Sequence, residues 1–80
     1  MQRVEIVEKL QSILISVLKL DNVIINDELS AANVDGWDSL THMVIITEIE
    51  KRFGVQFKLR ELNKLTNMGN LIALIASKTN

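Results

Sequence analysis

The chain contains no cysteine, no proline and no tyrosine. Without cysteine there is no disulfide framework and no thiolate metal site, and the composition suits a reducing cytoplasm. Glycine occurs only at 36, 54 and 69, and the aromatic residues are Trp37, Phe53 and Phe57. No apolar run approaches the ~20 residues of a membrane span. Met1 is not followed by a basic and then apolar leader, so no secretory signal is expected. A net charge of −1 argues against nucleic acid as the main partner. What the chain has is aliphatic: 48% of its 80 residues are apolar, mostly isoleucine, leucine and valine. That excludes disorder and allows one domain with a modest core.

Periodicity makes the domain helical. Ile6, Val7, Leu10, Ile13, Leu14 and Val17 recur at three- and four-residue steps, which predicts an amphipathic helix over 3–19. Gln11 falls among the residues of its polar side, and Glu5 and Lys9 are spaced for an ion pair. From Leu20 to Asp38 the pattern stops, and Asn22, Asn26, Asp27, Ser30, Asn33, Asp35 and Gly36 mark a long loop. Loops of this length are functional or hold a short helix. Val23, Ile24, Ile25, Leu29, Val34 and Trp37 should pin it to the bundle, with Trp37 as a plug.

A second helix is expected over Ser39–Phe53, capped by Asp38 and ended by Gly54 in a left-handed C′ position. Val55–Phe57 reads as an extended connector. Residues 59–65 should form a short helix carrying Leu59, Leu62 and Leu65. A last helix should run over Met68–Lys78, capped by Thr66 or Asn67, with Met68, Leu71, Ile72 and Ile75 inward. The fold class is all-α: a small bundle of three main helices plus one short one, with a long loop between the first and second.

The second helix has two apolar faces. At about 100° per residue, Ile45, Ile46, Ile49 and Phe53 form one arc, wide enough to be the core face. Leu40, Met43 and Val44 form another, roughly opposite. Either the long loop folds over this second face or it stays exposed as a docking patch, and the clustering favours docking. The adaptable thioether of Met43 suits several partners. Ser39 stands in the first turn, where backbone N–H groups lack helical partners and the dipole is positive, a favourable place for a phosphate ester. Asp21, Asp27, Glu28, Asp35 and Asp38, with no Lys or Arg over 21–38, read either as a solvated loop or as an acidic approach that a partner sees at this point.

Asp35-Gly36-Trp37-Asp38-Ser39-Leu40 resembles the attachment site of the acyl carrier protein family, whose hallmark is Asp-Ser-Leu at the start of the second helix. The resemblance extends through Glu48, Ile49, Glu50, Phe53 and Gly54 to Thr66 before the last helix. It implies a carrier and not an enzyme. A phosphopantetheinyl transferase would move the 4′-phosphopantetheine arm of coenzyme A onto Ser39, and the arm's thiol would hold an acyl or aminoacyl group as a thioester. It also implies that Asp38 helps place Mg²⁺ and the serine in the transferase complex. Leu40, Met43, Val44 and Thr47 would meet partner enzymes, and Ile46 and Ile49 would border a cavity for an apolar cargo. The implied partners are the transferase, a loading ligase or acyltransferase, and pathway synthases, with the carrier a monomer. Carriers of fatty-acid synthesis usually have a strongly acidic second helix. Here Glu48 and Glu50 are balanced by Lys51 and Arg52, and Val44 stands where that subgroup commonly has an acid. The Trp37 form of the motif looks more like discrete carriers of specialised pathways: polyketide, nonribosomal-peptide, cell-surface-sugar or aminoacyl.

Two rival chemistries read poorly. Ser39 and His42 are helical neighbours, but no Gly-x-Ser-x-Gly elbow or oxyanion hole accompanies them. Asp38, His42 and Asp35 are too few for a permanent metal site. The remaining alternative is a non-covalent helical docking module that uses Leu40 and Met43 and carries nothing.

Overall fold

The computed structural model describes residues 1–79. Four helices follow one another: α1 (Arg3–Leu18), α2 (Ser39–Phe53), the short α3 (Leu59–Leu62) and α4 (Met68–Lys78). No strand is present among the described residues. A single 3₁₀ turn, Ala31–Asn33, lies inside the long loop. The architecture is thus the expected all-α bundle of three long helices and a short one.

Each long helix buries the stripe that its periodicity marks. Ile6, Leu10, Ile13 and Leu14 of α1 meet Ile45, Ile46, Ile49 and Phe53 of α2 and Met68, Leu71, Ile72 and Ile75 of α4 in one core. Val7 and Val17 lie half-buried at its edge. α1 is the central packing partner, resting on both α2 and α4. Val55 joins the core from the connector after α2, and the Phe57 N–H donates to a Glu50 carboxylate oxygen at 2.9 Å.

The ends differ in instructive ways. α1 stops at Leu18, a residue early, because Lys19 takes a left-handed φ of 57° as its C-cap. Gly54 ends α2 with a φ of 66°, as anticipated. Asn67 rather than Thr66 caps α4, its side-chain oxygen accepting from the Asn70 N–H at 2.9 Å. α3 stops at Leu62; Leu65 packs half-buried beyond it, and Leu59 points into solvent instead of the bundle. Glu5 and Lys9 do not pair: Glu5 accepts from the Gln2 N–H, and the Lys9 ammonium lies 5.4 Å from the Phe53 ring centroid.

The long loop is held by polar ties that the apolar pattern does not reveal. Gln11, expected on the polar side of α1, is half-buried and donates to the Val23 carbonyl at 2.7 Å. Arg3 pairs with Asp27. The Met68 and Gly69 N–H groups, free donors at the start of α4, reach the carbonyls of Leu29 at 2.7 Å and Asp27 at 3.0 Å. Gly69 permits this approach, since a Cβ there would stand 3.0 Å from Asp27 Cβ. Val23, Ile25, Leu29 and Trp37 pack against the core, whereas Ile24 is 75% exposed and pins nothing. Its neighbours on either side turn inward, which forces it out.

Candidate functional site

The loop delivers the chain to α2 through a tight turn. The Trp37 N–H donates to the Val34 carbonyl at 3.3 Å, and Gly36 carries a φ of 82°. That is the conformation a type II turn requires at its third residue, and the reason for glycine there. Asp38 then caps α2. Its carboxylate accepts from the Thr41 N–H at 2.9 Å, and its own N–H donates to Thr41 Oγ1 at 2.8 Å. The Thr41 hydroxyl also donates to the Gly36 carbonyl at 2.8 Å, so threonine locks turn and helix together. The Thr41 backbone N–H holds the Asp38 carboxyl below its ordinary value of 3.8, desolvation opposes this, and the Thr41 hydroxyl adds to the lowering. The cap is therefore an anion at neutral pH. Thr41 was not singled out in the sequence, although Asp-x-x-Thr has the spacing of a capping box.

Ser39 is the first residue of α2 and lies exposed, outside this Asp38–Thr41–Gly36 network. It borders an open depression formed with Ala31, Trp37, Asp38, His42 and Met43. His42 is half-buried. Its Nδ1 accepts from the Trp37 indole N–H at 3.1 Å, and the two rings stack with centroids 6.1 Å apart. The imidazole is thus engaged by tryptophan, and the geometry lends nothing to a Ser39–His42 nucleophilic pair. No group of three or more metal-ligating side chains occurs among the described residues.

Along α2 the two faces separate as the helical wheel requires. Leu40, Met43 and Val44 are 77%, 54% and 44% exposed, and the loop does not cover them. Thr47 is exposed one turn further on, its hydroxyl donating to the Met43 carbonyl at 2.9 Å. Ile46 and Ile49 lie on the opposite side within the core and line neither the depression at Ser39 nor the cleft behind it.

Residues 8–75 match the PP-binding family, described as the phosphopantetheine attachment site. The chain is also similar to a solved structure, the holo acyl carrier protein from Geobacter metallireducens determined by solution NMR. The two are 38% identical with a TM-score of 0.84, over 90% of this chain and 83% of that one. The chain therefore belongs to the acyl carrier protein family, whose members carry cargo and leave catalysis to other proteins. Its prosthetic group is 4′-phosphopantetheine. The residues suit that group: a free, exposed hydroxyl stands at the positive end of a 15-residue helix, beside an open depression that leaves room for an arm. When bound, the arm supplies a terminal thiol and reach. The hydrogen bonds of Asp38, Thr41 and Gly36 fix the first turn of α2, in which Ser39 is exposed.

Proposed function

We propose that Ser39 bears the 4′-phosphopantetheine arm and that the chain delivers an acyl or aminoacyl thioester to the enzymes of a specialised biosynthetic pathway. The observation that carries this reading is the exposed Ser39 in the first turn of α2, within Asp35-Gly36-Trp37-Asp38-Ser39-Leu40. In the loading reaction the Ser39 oxygen loses its proton and forms an ester bond to the phosphorus of the pantetheine phosphate of coenzyme A. Adenosine 3′,5′-bisphosphate leaves. Asp38 lies next to the reacting hydroxyl as an anion and is the residue we assign to holding Mg²⁺ in the transferase complex.

Leu40, Met43, Val44 and Thr47 form the docking surface for the transferase, the loading ligase or acyltransferase and the pathway synthases. That surface is apolar where a fatty-acid-synthesis carrier would be acidic. Nearby, Glu50 is engaged by the Phe57 N–H and Arg52 by the Ser12 hydroxyl at 3.2 Å, so these charges serve the fold. This favours a discrete carrier of polyketide, peptide or cell-surface assembly over one of housekeeping fatty-acid synthesis. No helix of the described residues is long and apolar enough to cross a membrane. A cytoplasmic setting is part of the reading, because the cargo-bearing thiol has to stay reduced.

The test is incubation of the purified chain with coenzyme A, Mg²⁺ and a broad-specificity transferase, followed by intact mass. One added phosphopantetheine is expected, lost in Ser39→Ala. An unmodified wild-type mass would instead favour a non-covalent docking module built on Leu40 and Met43.

A further inference from the structure

The depression at Ser39 is poor in groups that can hold a phosphate. Ala31, Trp37, Asp38, Ser39, His42 and Met43 line it, with no lysine or arginine among them. Ala31 and Met43 have no polar side-chain hydrogen to give. The Asp38 carboxylate, ionised at neutral pH, can only accept. The Trp37 indole N–H is already engaged by His42 Nδ1 at 3.1 Å. Apart from the Ser39 hydroxyl, whose oxygen becomes the ester oxygen, one side-chain donor is left: the other nitrogen of the His42 ring.

The Trp37 bond decides where the imidazole hydrogen sits. A neutral imidazole carries one N–H, and the nitrogen that accepts a hydrogen bond is not the one that bears it. Because Nδ1 accepts from the indole, Nε2 is the N–H. Nε2 has no partner among the described residues, and no side-chain nitrogen without a partner is buried from solvent there. The Nε2–H is therefore an open donor. It belongs to the residue three positions after Ser39, and helix neighbours at that spacing stand about 5–6 Å apart at Cβ. Stacking on the indole, with 25° between the ring planes, restricts rotation of the imidazole.

We infer that His42 donates its Nε2–H to a phosphate oxygen of the arm borne on Ser39, and that Trp37 is a positioning residue that fixes the tautomer and orientation of that imidazole. The inference rests on the carrier reading above, since it requires the phosphodiester on Ser39. A hydrogen bond from an N–H to an anionic oxygen is among the stronger kinds. Here it offsets the repulsion between the phosphate and the Asp38 carboxylate, which borders the same depression. It holds the base of the arm and leaves the pantetheine beyond it free to reach a partner.

The experiment loads the full chain from coenzyme A with the transferase and checks each product by intact mass. Nitrogen and phosphorus resonances are then read at about pH 8, above the ordinary imidazole range. The unloaded chain should show His42 as the Nε2–H tautomer, and loading should shift its Nε2 resonance. The phosphorus resonance should move in His42→Phe, which keeps a flat ring but has no donor. It should return toward wild type in His42→Gln, whose amide nitrogen has the reach of Nε2. Should these variants not fold, Trp37→Phe carries the test: without the indole N–H the tautomer bias should fall and the phosphorus resonance should move part of the way. An Nδ1–H tautomer in the unloaded chain would overturn the inference, as would an Nε2 resonance that ignores loading on a chain of proven mass. So would a phosphorus resonance that is the same in wild type and His42→Phe, or one displaced equally in His42→Phe and His42→Gln, which marks lost packing and not a lost donor. A chain that gains no mass overturns the carrier reading itself, and this inference with it.

Discussion

Asp38 caps α2 through its carboxylate. It accepts from the Thr41 N–H and so fixes the first turn of α2 immediately beside Ser39. Its pKa in the folded chain lies below the ordinary value of 3.8, first because of that backbone bond. The sign of the linkage follows. The unfolded chain binds the proton more readily, so the cap stabilises fully above 3.8 and is lost as pH falls through the lower folded value. The Thr41 amide resonance should therefore follow a single acid transition whose midpoint lies below 3.8. In Asp38→Asn, which keeps a capping oxygen but cannot ionise, that acid transition should vanish. A Thr41 amide whose titration midpoint lies above 3.8 would show that the fold does not hold this carboxyl below its ordinary value. Ser39, Asp38 and Gly54 were legible in the sequence because each has a residue type suited to a named helix position. Thr41 was hidden in plain spacing, and the Trp37–His42 bond needed the fold, since the two residues meet only once the loop has turned into α2.

At the scale of the element, α2 separates a buried face from an exposed apolar one around its circumference. Ile49 is completely buried, so Ile49→Ala should cost about 2–5 kcal/mol, as other buried large-to-small changes do. Met43→Glu, on the exposed face, should leave the melting temperature nearly unchanged while lowering turnover by partner enzymes. Thermal melts of both variants, with loading rates for the second, check the division; a collapse of Met43→Glu would mean that the patch is core. The helical wheel made this division readable, because a 15-residue helix fixes the direction of every side chain from its sequence position. Leu59 shows where the wheel fails. One turn of helix is too short for a periodic signal, and its leucines divide between solvent and core according to neighbours that the sequence does not name.

At the scale of the molecule, the loop that presents Ser39 is strapped across both α1 and α4. Gln11 holds Val23, Arg3 holds Asp27, and the first N–H groups of α4 hold Leu29 and Asp27. These ties explain how a segment with little regular structure can place one hydroxyl reproducibly. They were not legible in the sequence, because they join backbone carbonyls, which every residue has, to donors far along the chain. Gly69 is a close point of this contact. Alanine is ordinarily favoured over glycine in a helix by about 1 kcal/mol. Here the added methyl would meet Asp27 Cβ at 3.0 Å and push the loop away. Gly69→Ala should thus speed hydrogen exchange of the Met68 amide, whose 2.7 Å bond to the Leu29 carbonyl lies alongside. Exchange unchanged or slowed would show that the loop yields at no cost. The account as a whole reduces to one oxygen atom and what is attached to it. Fragment-ion mapping of the chain, purified after co-expression with a phosphopantetheinyl transferase, reads this directly. The predicted result is a single phosphopantetheine on the peptide that contains Ser39, localised to that residue; the contradicting result is a bare Ser39, or the same group found on Thr41 or another hydroxyl.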